Sequence, residues 1–249
     1  MTPIYIPSRG RAGDAPTIHG VIAAGFRPLV VVPMGERNAY AKAYPYASII
    51  ALALSGIGRV RQWILTNART MGHERMWMLD DDLTIAKRDA YNDPYRPCSW
   101  SEALLEMEDV CAHGAPGRER LALAGPMPRQ FAWTQDAALW NRRCGYAVLI
   151  DTKAPFEYWP FYHEDTDAIL QVLTQGWKTL LMPRFAFSTP AMGTKSGGCQ
   201  DGYRAGEGVH GGQVLIEKWA SHPGLVTSQI NKAGATVTKV DWKRFREYD

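Results

Sequence analysis

Short apolar runs alternate with helical patterns from the first residues, and that alternation most limits the folds open to this chain. Pro3-Ile4-Tyr5-Ile6-Pro7 reads as a short buried strand, and Ser8-Arg9-Gly10-Arg11-Ala12-Gly13 turns out of it. Ala15 to Ala24 is a helix closed by Gly25, and Pro28 to Pro33 supplies a second buried strand. A helix over Glu36 to Tyr44, a strand over Ala47 to Leu54 and an amphipathic helix over Ile57 to Arg69 follow, leading into the apolar run Met76-Trp77-Met78-Leu79. Strands separated by helices run parallel and are covered on both faces. The expected fold class is therefore α/β, a mixed, mostly parallel sheet with helices on both faces. With 249 residues, 46% of them hydrophobic, the chain can bury a full core, and one domain over 1–249 is expected.

Asp80-Asp81-Asp82 stands where the apolar run ends. If the strand continues, Asp80 and Asp82 project the same way, about 7 Å apart, and Asp81 the other way. Carboxylates this close repel unless a cation, a water shell or a raised pKa relieves them, and oxygen-only ligands favour Mg²⁺ or Mn²⁺ over zinc. A competing reading makes the triplet a helix N-terminus, with Leu83-Thr84-Ile85-Ala86 following. In parallel sheets ligands bind beyond the carboxyl ends of the strands, so Ser8-Arg9 and Asp80 to Asp82 should share one crevice.

Beyond the triplet, Asn92 to Pro97 is turn-rich, and Trp100 to His113 is a helix capped by Ser99 or Ser101. Ala122 to Pro126, Ala147 to Asp151 and Lys178 to Met182 are further strands. Glu164-Asp165-Thr166-Asp167 precedes a short helix over Ala168 to Gln175, so the acids act there as a cap cluster, as chemistry, or as both. Residues 192–212 form a Gly-rich loop with Lys195, Gln200, Arg204 and His210, lacking the G-x-x-x-x-G-K-[ST] order of a P-loop and expected to act as a lid. A C-terminal extension with a helix near Gln213 to Ala220 and a strand at Thr236 to Val240 completes the chain.

Several function classes are disfavoured. The four cysteines are widely spaced with no C-x-x-C pair, which argues against a zinc site or disulfide framework. No run approaches the roughly 18 apolar residues of a membrane span, so a cytoplasmic protein is expected. A net charge of +3 permits nucleic-acid binding without announcing it.

The strand ending in Ile6-Pro7-Ser8-Arg9, the Asp80-x-Asp82 pattern and the Glu164-Asp165 helix start together resemble the GT-A, Rossmann-like glycosyltransferase fold. Within it, Ile4 to Arg11, Gly58-x-x-Arg61-Gln62 and Leu79-Asp80-Asp81-Asp82-Leu83 resemble the phage TET-associated glycosyltransferases over roughly residues 3 to 190. Sugar transfer from a nucleotide sugar, a UDP-sugar above all, to hydroxymethylated pyrimidines in DNA is what that resemblance implies. It also implies Mn²⁺ or Mg²⁺ on Asp82 and Asp80, and a base at Asp165 with Glu164 beside it. Donor contacts would come from Ser8, Arg9, Arg11, Asp80, Asp81 and Lys195. His210 is a further candidate metal ligand, against the plainer reading of an exposed loop histidine. Trp133, Trp140, Tyr158, Trp159, Phe161 and Tyr162 are candidates for stacking on a sugar or an extruded base, or ordinary core. Rival readings keep the donor site but change the acceptor to a glycan, lipid or protein. Others make the chain a silent binding module or a nucleotidyltransferase.

Overall fold

The structure, a computed structural model, describes residues 1–114, 118–190, 206–231 and 234–246. The first half runs β1 (Ile4–Pro7), α1 (Pro16–Ala23), β2 (Leu29–Pro33), α2 (Arg37–Ala43), β3 (Ser48–Leu52), α3 (Ile57–Thr70) and β4 (Arg75–Leu79). Next come β5 (Thr84–Lys87), β6 (Arg96–Pro97), α4 (Trp100–Asp109), β7 (Leu121–Pro128), α5 (Arg129–Ala132), β8 (Leu139–Trp140) and β9 (Ala147–Asp151). The chain then forms α6 (Glu164–Thr174), β10 (Lys178–Ser188), α7 (Glu207–Lys218) and a hairpin of β11 (Val226–Ile230) and β12 (Thr236–Val240).

The main sheet has the order β3-β2-β1-β4-β9-β7-β10-β5-β6, with β8 also on β10. Strands β1, β2, β3, β4, β6, β7 and β10 run one way; β5, β8 and β9 run the other. The sheet is thus mixed and mostly parallel, as the alternation of elements predicts. Strand alternation divides the core into two layers. Ile4, Ile6, Val30, Val32, Trp77 and Leu79 face α1, α2 and α4, where Ile18, Val21, Tyr40, Leu104 and Met107 receive them. Tyr5, Val31, Met76 and Met78 face the opposite layer of α3 and α6, against Ile64, Leu65, Ala68, Ile169 and Val172. Each fully buried aliphatic chain contributes about 1.5–3 kcal/mol, so both helical layers are held mainly by this burial. A smaller cluster of Leu170, Leu215, Trp219, Leu225 and Val226 seats α7 and the C-terminal hairpin on α6.

The structure corrects several boundaries. Residues Thr84 to Lys87 form a strand antiparallel to β10, which removes the helix reading of the acidic triplet. Helix α6 starts at Glu164 rather than Ala168, so Glu164, Asp165 and Asp167 lie in its first turn. Helix α7 starts at Glu207, so residues 207–212 of the expected loop are helical. Lys195, Gln200 and Arg204 lie outside the described residues. Strands β6 and β8 are two residues long and β11 is mostly polar, so none is readable from a single sequence. Ser99 is the cap of α4, accepting the Glu102 amide at 3.1 Å. Among the described residues no helix is long and apolar enough to cross a membrane.

Candidate active site

Parallel pairing of β1 with β4 brings their carboxyl ends side by side, so the chain leaves Pro7 and Leu79 at the same edge. The core parity continues one step past each strand. Asp80 follows Met76 and Met78 toward the α3 and α6 layer, while Asp81 follows Trp77 and Leu79 toward α1 and α2. The chain turns at residues 81–82, so alternation no longer governs Asp82.

Asp81 is buried and accepts hydrogen bonds from the Ser8 hydroxyl and from Arg11 Nη1. The Ser8 hydroxyl also meets Tyr40 OH at 2.6 Å, and Tyr40 OH accepts the Arg11 amide at 3.0 Å. The Asp81 carbonyl accepts the Thr17 amide of α1 at 3.2 Å. Of the residues expected to share one crevice, Ser8, Asp81 and Asp82 are brought together in a polar network in which Arg11 is a buried tie and not a solvated turn residue, whereas Asp80 turns to the opposite layer. Arg11 Nη1 reaches Asp82 Oδ2 as well, at 2.9 Å, whereas Arg9 is exposed. Burial pushes the Asp81 carboxyl up to about 6, against the pull of Ser8 and Arg11. Between the ordinary carboxylate range and about pH 6, the native state keeps a proton that the unfolded chain has released. Native stability therefore falls as pH rises through that window. Asp81→Asn should flatten this slope in urea unfolding measured from about pH 4 to 7, and an unchanged slope would place the proton elsewhere.

On the other side of the sheet, Arg61 of α3 is buried between two acids. Its Nη2 lies 2.6 Å from Asp80 Oδ1 and its Nη1 2.9 Å from Glu164 Oε1. The Gly58-x-x-Arg61-Gln62 spacing acquires a physical meaning here. A Cβ on Gly58 would lie 1.9 Å from the Trp159 carbonyl oxygen, so only glycine lets α3 press against that backbone. Arg61, one turn on, then reaches both acids, and Gln62 Oε1 accepts the Tyr158 amide at 2.7 Å. By charge pattern Arg61 is one more helical cation; the glycine spacing is the signal that it differs from the others. Burial raises the Asp80 carboxyl, with Arg61 opposing. Burial likewise pushes Glu164 up to about 7 in spite of Arg61.

Asp165 points into a cleft lined by Asp80, Arg61, Gly145, Tyr146, Tyr158 and Cys144. Its Oδ2 takes Arg143 Nη2 at 2.8 Å and its Oδ1 takes the Thr166 amide at 2.7 Å. Burial pushes this carboxyl up, but Arg143, Arg61 and the two hydrogen bonds outweigh it, and the net shift is downward. Asp165 thus satisfies a first-turn amide and faces the cleft at once. Sequence does not single out Arg143, since nothing local marks it. Gly145 leaves the carboxylate room, because a Cβ there would stand 3.1 Å from Asp165 Oδ2. The third acid is structural: Asp167 is buried and bound by Lys218 Nζ at 2.7 Å and Trp219 Nε1 at 2.9 Å, tying α6 to α7.

His210, expected as a metal ligand with Asp80 and Asp82, is not gathered with them. Among the described residues no three His, Cys, Asp or Glu side chains gather as ligands, and His210 instead packs edge-on to Phe161 at 6.1 Å. Its place in the first turn of α7, a helix seated against α6 and the hairpin, accounts for this. Of the candidate stacking aromatics, Trp133 and Phe161 are exposed and Tyr158 is core.

The fold is a Rossmann-like α/β sheet with acidic groups beyond the carboxyl ends of its parallel strands. The chain belongs to the TET-associated glycosyltransferase family, whose model matches residues 2–198. No curated relative matches. Among solved structures, 4-diphosphocytidyl-2C-methyl-D-erythritol synthase is similar at 14% identity and TM-score 0.43, over 82% of this chain and 98% of that one. UDP-glucose pyrophosphorylase in complex with UDP-glucose is similar at 8% identity and TM-score 0.43, over 88% and 99%. A mannose-1-phosphate geranyltransferase from Thermus thermophilus is similar at 14% identity and TM-score 0.36, over 76% of this chain, which spans 58% of that one.

Proposed function

We propose that the protein moves a sugar from a nucleotide-sugar donor, a UDP-sugar, to the hydroxymethyl group of a modified pyrimidine such as 5-hydroxymethylcytosine in phage DNA, in the host cytoplasm. The observation that carries this reading is a strand-end carboxylate, Asp80, and a helix-start carboxylate, Asp165, that both line one small cavity of about 10 Å³, with Arg61 bonding Asp80 and the neighbouring Glu164. A sugar transferase needs one group at the departing diphosphate and another at the incoming hydroxyl. Family membership supports the reaction class.

Asp80 gives Oδ1 to Arg61 and Asp82 gives Oδ2 to Arg11, so one oxygen of each stands outside these pairs. Carboxylate oxygens are the hard donors that Mn²⁺ or Mg²⁺ takes, one or two at a time, with water and substrate phosphates completing the shell. The cation would supply Lewis-acid stabilisation of charge on the leaving diphosphate. Ser8, Arg11 and Asp81 hold the β1 exit rigid beneath the donor, and exposed Arg9 offers its planar fork to base or phosphate. Lys195 remains a donor contact proposed from sequence alone. On the acceptor side, Asp165 faces the cleft while Glu164 turns inward to Arg61 and orients it. For an inverting transfer Asp165 is the base. Arg143, its partner, is 47% exposed and can follow an acceptor phosphate, which would raise the basicity of Asp165.

Mass spectrometry of nucleosides from hydroxymethylated DNA, incubated with the protein, Mn²⁺ and a pool of nucleotide sugars, tests the reading. A hexose, pentose or N-acetylhexosamine increment is expected, and its absence across the pool would overturn the acceptor. Asp82→Ala should abolish the increment with little change in thermal midpoint, because Arg11 keeps Asp81 as its partner. Full activity in that variant would remove Asp82 from the metal role.

A further inference from the structure

Arg88, just past β5, is 4% exposed. Its guanidinium carbon lies 5.4 Å from the ring centroid of Tyr91 and 5.2 Å from that of Tyr95. Ion pairs around it pass it by: Lys87 pairs with Asp89 and Glu102, and Arg96 with Asp89. Its Nη1 is buried with no hydrogen-bond partner among the described residues. A buried cation without a carboxylate is costly, and two tyrosine faces answer only part of that cost. Among the described residues no ion pair cancels its positive field.

The same cluster reaches the surface through aromatic rings. Tyr95 meets Trp133 edge to face at 5.3 Å, and Trp133 and Tyr91 are each 48% exposed. Exposed Phe131 lies two residues from Trp133, and exposed Arg129 acts electrostatically on Tyr95. This cluster borders the cleft. Pro128, which precedes Arg129, pairs in register with Phe187, whose ring packs at 5.2 Å on Tyr146 of the cleft wall.

We infer that this rim binds single-stranded nucleic acid, with Tyr91 and Trp133 stacking on unpaired bases, exposed Arg129 meeting a phosphate and buried Arg88 adding its positive field from beneath. The partner follows from its chemistry: a strand that alternates anions with flat rings matches uncancelled cations interleaved with exposed aromatic faces. An acidic peptide would use the cations and leave the rings idle, and a closed duplex hides its base faces. The inference rests on the DNA-acceptor reading and deepens it, since a base presented to the cleft must first leave its stack.

Fluorescence anisotropy with a short labelled unmodified oligonucleotide, without donor or metal, separates the two. Trp133→Ala should weaken single-strand binding about tenfold, in the range of one lost base stack. Arg129→Gln should lower the slope of log affinity against log salt by about 0.7, the signature of one lost single-strand phosphate contact. Tyr46→Ala, at an exposed aromatic outside the rim, should bind as wild type. Unchanged affinity and salt slope in both rim variants, with wild-type binding intact, would overturn the rim and leave the acceptor reading standing. Absence of any DNA binding by the wild type would also overturn the rim, while the acceptor reading stands or falls on the nucleoside mass increment.

Discussion

Asp165→Asn should reduce sugar transfer by about 10²–10⁴-fold, the usual contribution of a positioned general base, with the fold retained. Asparagine keeps the shape and an acceptor for the Thr166 amide, which lies 2.7 Å from Oδ1. It removes the charge that holds Arg143, a half-exposed partner whose ion pair contributes little to stability. The defect should therefore appear in kcat, with donor binding preserved in a thermal-shift titration of UDP. If transfer persists within a few fold of wild type, Asp165 is a capping residue and the base lies elsewhere in the cleft.

Arg61→Met should be the most damaging single change at the site, for a different reason. It strands buried Glu164 beside partly buried Asp80, and breaking a buried pair by removing one partner costs about 3–5 kcal/mol. Methionine has similar length, so packing alone does not account for the loss. Urea unfolding should show that decrease near neutral pH. It should be larger above pH 7 and shrink as pH falls, because without Arg61 to oppose burial Glu164 takes up its proton above the value of about 7 that it has beside the cation. Arg61→Lys should recover only part, since a single ammonium cannot reach two carboxylates with the geometry of a fork. A loss below about 1 kcal/mol for Arg61→Met would mean that water enters and solvates both acids.

The readable local signals are those that one element carries by itself. Strands β1, β2 and β4 and helices α1 and α3 announce themselves by apolar period and by closing glycines such as Gly25, at φ 87°. Thr84 to Lys87 does not, because four residues fit a strand or a helical turn equally, and only pairing with β10 resolves them. The start of α6 is hard to place from sequence because acids both begin helices and precede them, and the His163 backbone in the left-handed region marks the true boundary. Arg143 is invisible for a stronger reason: its function exists only through Asp165, 22 residues away in sequence.

The acidic triplet shows where the two sources of information divide. By itself the sequence determined that three carboxylates follow a buried apolar run, because hydrophobic period is a property of the chain, and it left a strand end and a helix start both open for them. The tertiary structure alone decided what each carboxylate does. Asp81 turns inward to Ser8 and Arg11, Asp80 crosses to Arg61 of the opposite layer, and Asp82 shares Arg11. Those partners lie 19 to 73 residues away, and a charge takes its role from the counter-charges and solvent around it, which exist only once the layers have packed.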